Sequence, residues 1–116
     1  MSVIESLVSG AKADKDVLNA LGSHGDNFSI ARDVDFVFRT QAKPRAEELM
    51  RFINDNQYGL AALELAENGF SVVVKINAPI LPTIIFPVSG FMTCLAALFG
   101  VEYDGWGCPV RRAEVH

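Results

Sequence analysis

Leu60-Ala-Ala-Leu-Glu-Leu-Ala-Glu67, then Asn68-Gly69, then Phe70-Ser-Val-Val-Val-Lys-Ile-Asn77 is the stretch that decides the architecture. An Asn-Gly pair between two apolar runs is the strongest short-range signal for a β-hairpin, because both residues tolerate the positive φ of a tight turn. Gly59, just upstream, closes the connection into the first run.

Working outward, Asp33 to Thr40 alternates. Val34, Phe36 and Phe38 point one way, and Asp33, Asp35 and Arg39 point the other, with Val37 as the exception. That pattern predicts a half-buried strand. Pro44 suits a first helical position. Ala46, Leu49, Met50 and Ile53 follow at helical spacing, and Arg45, Glu47, Glu48, Arg51 and Asp55 lie on the opposite face, so an amphipathic surface helix is expected. Beyond the hairpin, Val88, Phe91, Met92, Leu95 and Phe99 form a second helical stripe with Gly100 as its C-cap. Cys108 to Arg112 is expected to be the last strand.

At the N-terminus, Ser2 and Glu5 fit a capping box ahead of Val3, Ile4, Leu7 and Val8. Gly10 is expected to stop that helix. Asp14 is expected to cap a second one bearing Val17, Leu18 and Leu21 and ending at Gly22. The order is thus two short helices over residues 1–22 and a β-α-β-β-α-β core over residues 32–112, within one domain of residues 1–116. Two split crossovers around a hairpin predict an α+β, ferredoxin-like sandwich with a four-stranded antiparallel sheet and both crossover helices on one face.

The 116-residue chain is half apolar and 21% charged, which excludes disorder as its main state. A chain of this length buries roughly two-thirds of its unfolded surface. A net charge of −4 disfavours direct binding to nucleic acid. Cys94 and Cys108 make neither a disulfide framework nor, with His24 and His116, a zinc spacing. No metal, cofactor or catalytic residue is expected, and no phosphate loop, dinucleotide fingerprint or nucleophile elbow is present in the sequence. No signal peptide is visible, so the expected location is cytoplasmic.

From Ile76 to Val101 no residue is charged. The length would span a bilayer, but Pro79, Pro82 and Pro87 interrupt it. Only Pro87 to Gly100 remains as continuous helix, too short to cross, and a membrane partner is not expected. The helix is instead expected to be fully buried. Its small-residue face, Gly90, Thr93, Cys94 and Ala97, needs a cover: the N-terminal helices or a second subunit in a homodimer.

Tyr103-Asp104-Gly105-Trp106-Gly107 concentrates the only tryptophan, a tyrosine, a carboxylate and two glycines. It reads as a rigid aromatic turn, with Asp104 folded onto the local backbone as an Asx-turn. Tyr103 and Trp106 then either seal the sheet edge or present an exposed Trp as a binding hot spot. Asp33 and Asp35 share a strand face with Arg39 and read as a solvated, ion-paired face. Arg32 reads as a loop anchor.

The segment Phe99-Gly-Val-Glu-Tyr-Asp-Gly-Trp-Gly107 resembles the C-terminal signature of the family of regulators of ribonuclease E activity B (RraB). Gly25-Asp-Asn27, leading into Arg32-Asp-Val-Asp-Phe36, resembles that family's approach to its first strand. The resemblance covers most of residues 25 to 112. It implies a ferredoxin-like fold and a non-enzymatic inhibitor that binds the scaffold region of ribonuclease E. It also makes Tyr103, Asp104, Gly105, Trp106, Gly107, Arg32, Asp33 and Asp35 the partner-binding or family-motif candidates. The chain departs from the strongly acidic inhibitor in its modest charge and in its apolar, proline-rich segment before the second core helix. A different class of function, a small-molecule-binding or catalytic dimer with an apolar pocket between helices and sheet, is the alternative.

Overall fold

A computed structural model describes residues 2–112. In chain order the elements are α1 (Val3–Ser23), β1 (Arg32–Thr40), α2 (Lys43–Asp55), β2 (Leu60–Ala66), β3 (Gly69–Ala78), α3 (Pro82–Phe99) and β4 (Glu102–Gly107). The class is α+β: three helices and one four-stranded sheet in the order β2-β3-β1-β4, with every neighbouring pair antiparallel.

The N-terminus is one helix and not two. Ser2 caps it as a capping box, with Glu5 N donating to Ser2 Oγ at 3.1 Å and Ser2 N donating to Glu5 Oε1 at 3.2 Å. Gly10 does not end the helix. It lies where α1 crosses α3, and a Cβ there would sit 3.6 Å from Thr93 Oγ1. Across the same crossing, a Cβ on Gly90 would lie 3.6 Å from Leu7 Cδ2. Both distances are ordinary van der Waals contact, so the glycines sit inside a packed helix crossing, and tertiary packing overrides the stop signal. Asp14 is consequently an interior residue of α1, buried at 5% exposure, and not an N-cap. The cover over Gly90 and Thr93 is therefore α1.

The hairpin forms, shifted by one residue. Ala66 pairs with Gly69, which leaves Glu67-Asn68 as the two-residue turn, with Asn68 at φ 67°. Gly69 belongs to β3, where a Cβ would fall 2.7 Å from the Thr40 carbonyl oxygen. Close approach of the β1 end, and not turn geometry alone, requires glycine at this place.

Val34, Phe36 and Phe38 on β1 and Val72 and Val74 on β3 face a core closed by Ala46, Leu49 and Ile53 of α2 and by Ile85, Met92 and Leu95 of α3. Asn54 fastens α2 to β2: its side-chain amide donates to the Ala61 carbonyl at 3.0 Å and its oxygen accepts from Ala61 N at 2.8 Å. Leu18 and Leu21 join the same core from α1.

Helix α3 begins at Pro82, five residues earlier than its stripe suggests, and contains Pro87. Pro82 fits the first turn, where no N–H is needed. Pro87 is exposed and forfeits only the N–H that would reach the Thr83 carbonyl. At 18 residues and mean hydropathy 1.7 the helix is long and apolar enough to cross a membrane by length and composition, yet it is a wall of the core. It is not buried all round: Phe91 is 38% and Leu98 80% exposed. Gly100 ends it in the left-handed conformation at φ 66°, and Arg45 Nη1 donates to the Gly100 carbonyl at 2.9 Å.

Candidate functional site

The aromatic motif is not a turn but the strand β4, and the expected strand at Cys108 to Arg112 is irregular. Phe36 pairs with Trp106 and Phe38 with Tyr103, so β1 has one residue between its paired positions and β4 has two. Asp104-Gly105 is thus a β-bulge, with Gly105 at φ 87°. Side chains alternate along a regular strand, and residues three apart face opposite ways. The bulge cancels that alternation, so that Tyr103 and Trp106 both turn to the helical side of the sheet. Tyr103 lies against Phe38 with ring centroids 5.3 Å apart, and Trp106 is 7% exposed. An exposed tryptophan hot spot is excluded at this position.

Both aromatic polar tips enter one network with α1 and α3. Trp106 Nε1 donates to Asp14 Oδ1 at 3.0 Å, and Ser89 Oγ donates to the same oxygen at 2.9 Å. A serine hydroxyl has one proton. Since Ser89 donates to Asp14, the 2.9 Å contact between Ser89 Oγ and the Tyr103 hydroxyl has tyrosine as donor. Thr93 Oγ1 completes the set by donating to the Ser89 carbonyl at 3.1 Å. Burial pushes the Asp14 carboxyl above its ordinary value, and the Ser89 and Trp106 bonds offset part of that rise. Burial also raises the Tyr103 phenol, which stays a neutral donor.

This network forms part of the wall of an open cleft of about 880 Å³ between α1, the C-terminal half of α3 and β4. Val3, Ala13, Ala96, Ala97 and Val101 supply apolar wall, and Arg39, Glu102 and Asp104 stand among the charged lining residues.

Asp104 does not cap a turn. Its Oδ2 pairs with Arg39 Nε at 2.9 Å across the strands, with both side chains about half exposed. The expected pairing of Arg39 with its own strand's carboxylates does not occur. Asp33 accepts from Asn77 Nδ2 at 3.0 Å. Asp35 lies between Lys75 and Gly107 in register, and its Oδ1 is the one buried side-chain oxygen without a partner among the described residues. Gly107 ends β4.

Arg32 stands apart from that cleft and is fully buried. Its guanidinium donates to both oxygens of Asp26, at 2.9 Å from Nη2 to Oδ1, and to the carbonyls of Asn27, Ile30 and Pro109. Asp26 Oδ2 also accepts from Arg111 N at 3.2 Å, and Asn27 N donates to the Arg111 carbonyl at 2.8 Å. Arg32 therefore ties the 24–31 loop and the segment after β4 to the start of β1. Burial alone would raise the Asp26 carboxyl, but the Arg32 bonds outweigh it and hold it below its ordinary value. His24 is exposed and acts through its backbone: it caps the end of α1, its N–H donates to the Leu21 carbonyl at 3.0 Å, and its own carbonyl accepts from Arg112 Nε at 2.6 Å. Cys94 and Cys108 are half-buried free thiols. No group of three His, Cys, Asp or Glu able to hold a metal occurs among the described residues.

Asp14 and Ser89 were not among the candidates read from the sequence. The signal for Asp14 was a carboxylate on an apolar face at helical spacing, Leu7-Gly10-Asp14-Val17-Leu21, legible only once Gly10 is taken as helix interior.

Residues 11–108 match the family model described as Regulator of ribonuclease activity B. The chain belongs to the RraB family. The match begins inside α1 and ends just past β4, so it takes in every residue of the Asp14–Ser89–Tyr103–Trp106 network. The RraB family is one of regulators of ribonuclease activity, which implies a protein partner. No curated protein matches this RraB-family chain.

Proposed function

We infer that the chain is a non-enzymatic, cytoplasmic regulator that binds a ribonuclease of the ribonuclease E type and slows its cleavage of RNA. The family match over residues 11–108 carries this reading. Two features of the chain support it. The polar tips of Tyr103 and Trp106 are engaged in holding α1, α3 and β4 together. Phe91, Leu98, Phe52 and Tyr58 leave apolar area at the surface on α3, on α2 and just after it, and such area suits protein contact.

The fold belongs in the same reading. Two β-α-β crossovers interleave around the hairpin, and the strand order places β1 and β3 at the centre, which supports a ferredoxin-like sandwich extended by α1.

The test is a cleavage assay with purified ribonuclease E and a structured RNA, with and without this protein. Slower cleavage, together with co-sedimentation of the two proteins, is the expected outcome. Unchanged cleavage and no complex at micromolar concentrations of both would remove ribonuclease E as the target.

A further inference from the structure

The cleft between α1, α3 and β4 has a property that the packing of the fold does not need. Asp14 is 5% exposed, and both donors that reach it, Ser89 Oγ and Trp106 Nε1, bond to Oδ1. Among the described residues no donor reaches Oδ2. That oxygen is also absent from the sealed, unpartnered atoms of the interior, so it retains contact with the cleft that Asp14 lines. A carboxylate oxygen in this position has lost most of its hydration and has gained no donor in return. A charged donor restores more than a neutral one, because charge-assisted bonds are about twice as strong.

The surroundings specify the rest. The cleft has three lining carboxylates, Asp14, Glu102 and Asp104, against one guanidinium, Arg39, and that cation is already held by Asp104. The walls beside Asp14 are apolar and made of small residues, with Ala13, Ala96 and Ala97 leaving the space unfilled. Its volume of about 880 Å³ lies in the range of small-molecule sites, roughly 300–1,000 Å³.

We propose that this cleft binds a small amphipathic monocation, an ammonium or guanidinium group on a short apolar body, with its cation on Asp14 Oδ2. The apolar body lies along Ala13, Ala96 and Ala97, and Glu102 adds long-range attraction at the rim. The site is independent of the ribonuclease reading, and its ligand reports on α1, whose docking on β4 runs through the same carboxylate.

The probes are phenethylamine, its neutral counterpart 2-phenylethanol and its anionic counterpart 3-phenylpropanoate, each titrated into the full-length protein by calorimetry and by amide shift mapping. The expected result is saturable binding of the amine, with shifts at Gly10, Thr93, Ala97 and Gly105, and binding of the other two at least roughly tenfold weaker. Asp14→Asn should abolish the preference for the amine. Should that variant fail to fold, Ala97→Trp decides: the position is exposed, it lies outside the hydrogen-bonded network, and an indole there fills the cleft. Binding of all three probes with equal affinity, shifts that map elsewhere, undiminished binding by Ala97→Trp, or no binding of the amine at roughly millimolar concentration each overturns the proposal.

Discussion

Trp106 Nε1 and Asp14 Oδ1 stand 3.0 Å apart and join β4 to α1 across 92 positions of the chain. Asp14 is also the acceptor for Ser89 on α3, so one carboxylate oxygen fastens three elements. Asp14→Ala leaves two buried donors unpaired, at about 1–3 kcal/mol each, and should lower stability by about 3 kcal/mol. Tyr103→Phe removes one donor from Ser89 and should cost only about 1 kcal/mol. Urea denaturation of both variants checks the ranking, and equal costs would contradict the network.

Asp14 and Asp26 should give opposite pH responses. Asp26 is held below its ordinary value of 3.8, so its contribution is present above that pH and is lost as pH falls through the lowered value. Asp26→Asn should therefore be strongly destabilising at neutral pH, by about 3–5 kcal/mol for a broken buried pair, with the difference from wild type shrinking below pH 3.8. Asp14 is raised, so its folded form binds the proton more tightly. Its contribution is fully present below 3.8 and declines as pH rises through the raised value. Asp14→Asn should remove that decline. Melting temperatures of wild type and both variants across acidic pH measure the two slopes.

Asp104 and Gly105 separate two kinds of cost in one bulge. Asp104→Ala loses an ion pair that is about half exposed and should cost below about 1 kcal/mol, less at high salt. At Gly105 a Cβ would meet nothing within 4 Å, so Gly105→Ala suffers only from φ 87°, about 1–2 kcal/mol and insensitive to salt. Melts at low and high salt distinguish the two.

Deletion of residues 1–22 should expose Gly90 and Thr93 and leave Trp106 Nε1 without its acceptor. The truncated protein should bind a hydrophobic dye and aggregate. A dye-negative truncation that melts cooperatively would show that α1 is dispensable to the core.

β1, β2, β3 and α2 were legible because their periodicity is local, whereas β4 was misplaced at Cys108 to Arg112 because its bulge breaks the alternation. Val34, Phe36 and Phe38 alternate, and Ala46, Leu49 and Ile53 recur at helical spacing, each without reference to distant residues. The errors arose where a distant backbone or side chain decides the outcome. Gly10 reads as a stop in isolation and serves as a crossing point beside Thr93. Asn68-Gly69 reads as the turn, while Gly69 pairs with Ala66 inside β3, packed so close to the Thr40 carbonyl that no side chain fits. Pro87 reads as a helix start, yet its missing N–H is tolerated on the exposed side of α3. Asp14 had the sequence signature of a cap, and only the arrival of β4 makes it a buried acceptor.

The doubled residue at Asp104-Gly105 gives β4 a constraint of number in addition to one of chemistry. In a regular strand each residue removed or added inverts the direction of everything beyond it, as a phase error does in a wave, and a bulge absorbs one residue without that inversion. Deleting Gly105 would remove the bulge and leave Tyr103 and Trp106 two residues apart, the spacing at which a regular strand keeps both rings opposite Phe38 and Phe36 on the helical side. In this segment the loss of one residue is therefore less damaging to the interior than the loss of either ring. The fold specifies the shared face of the two aromatic rings, and the bulge reaches it with one residue more than a regular strand needs.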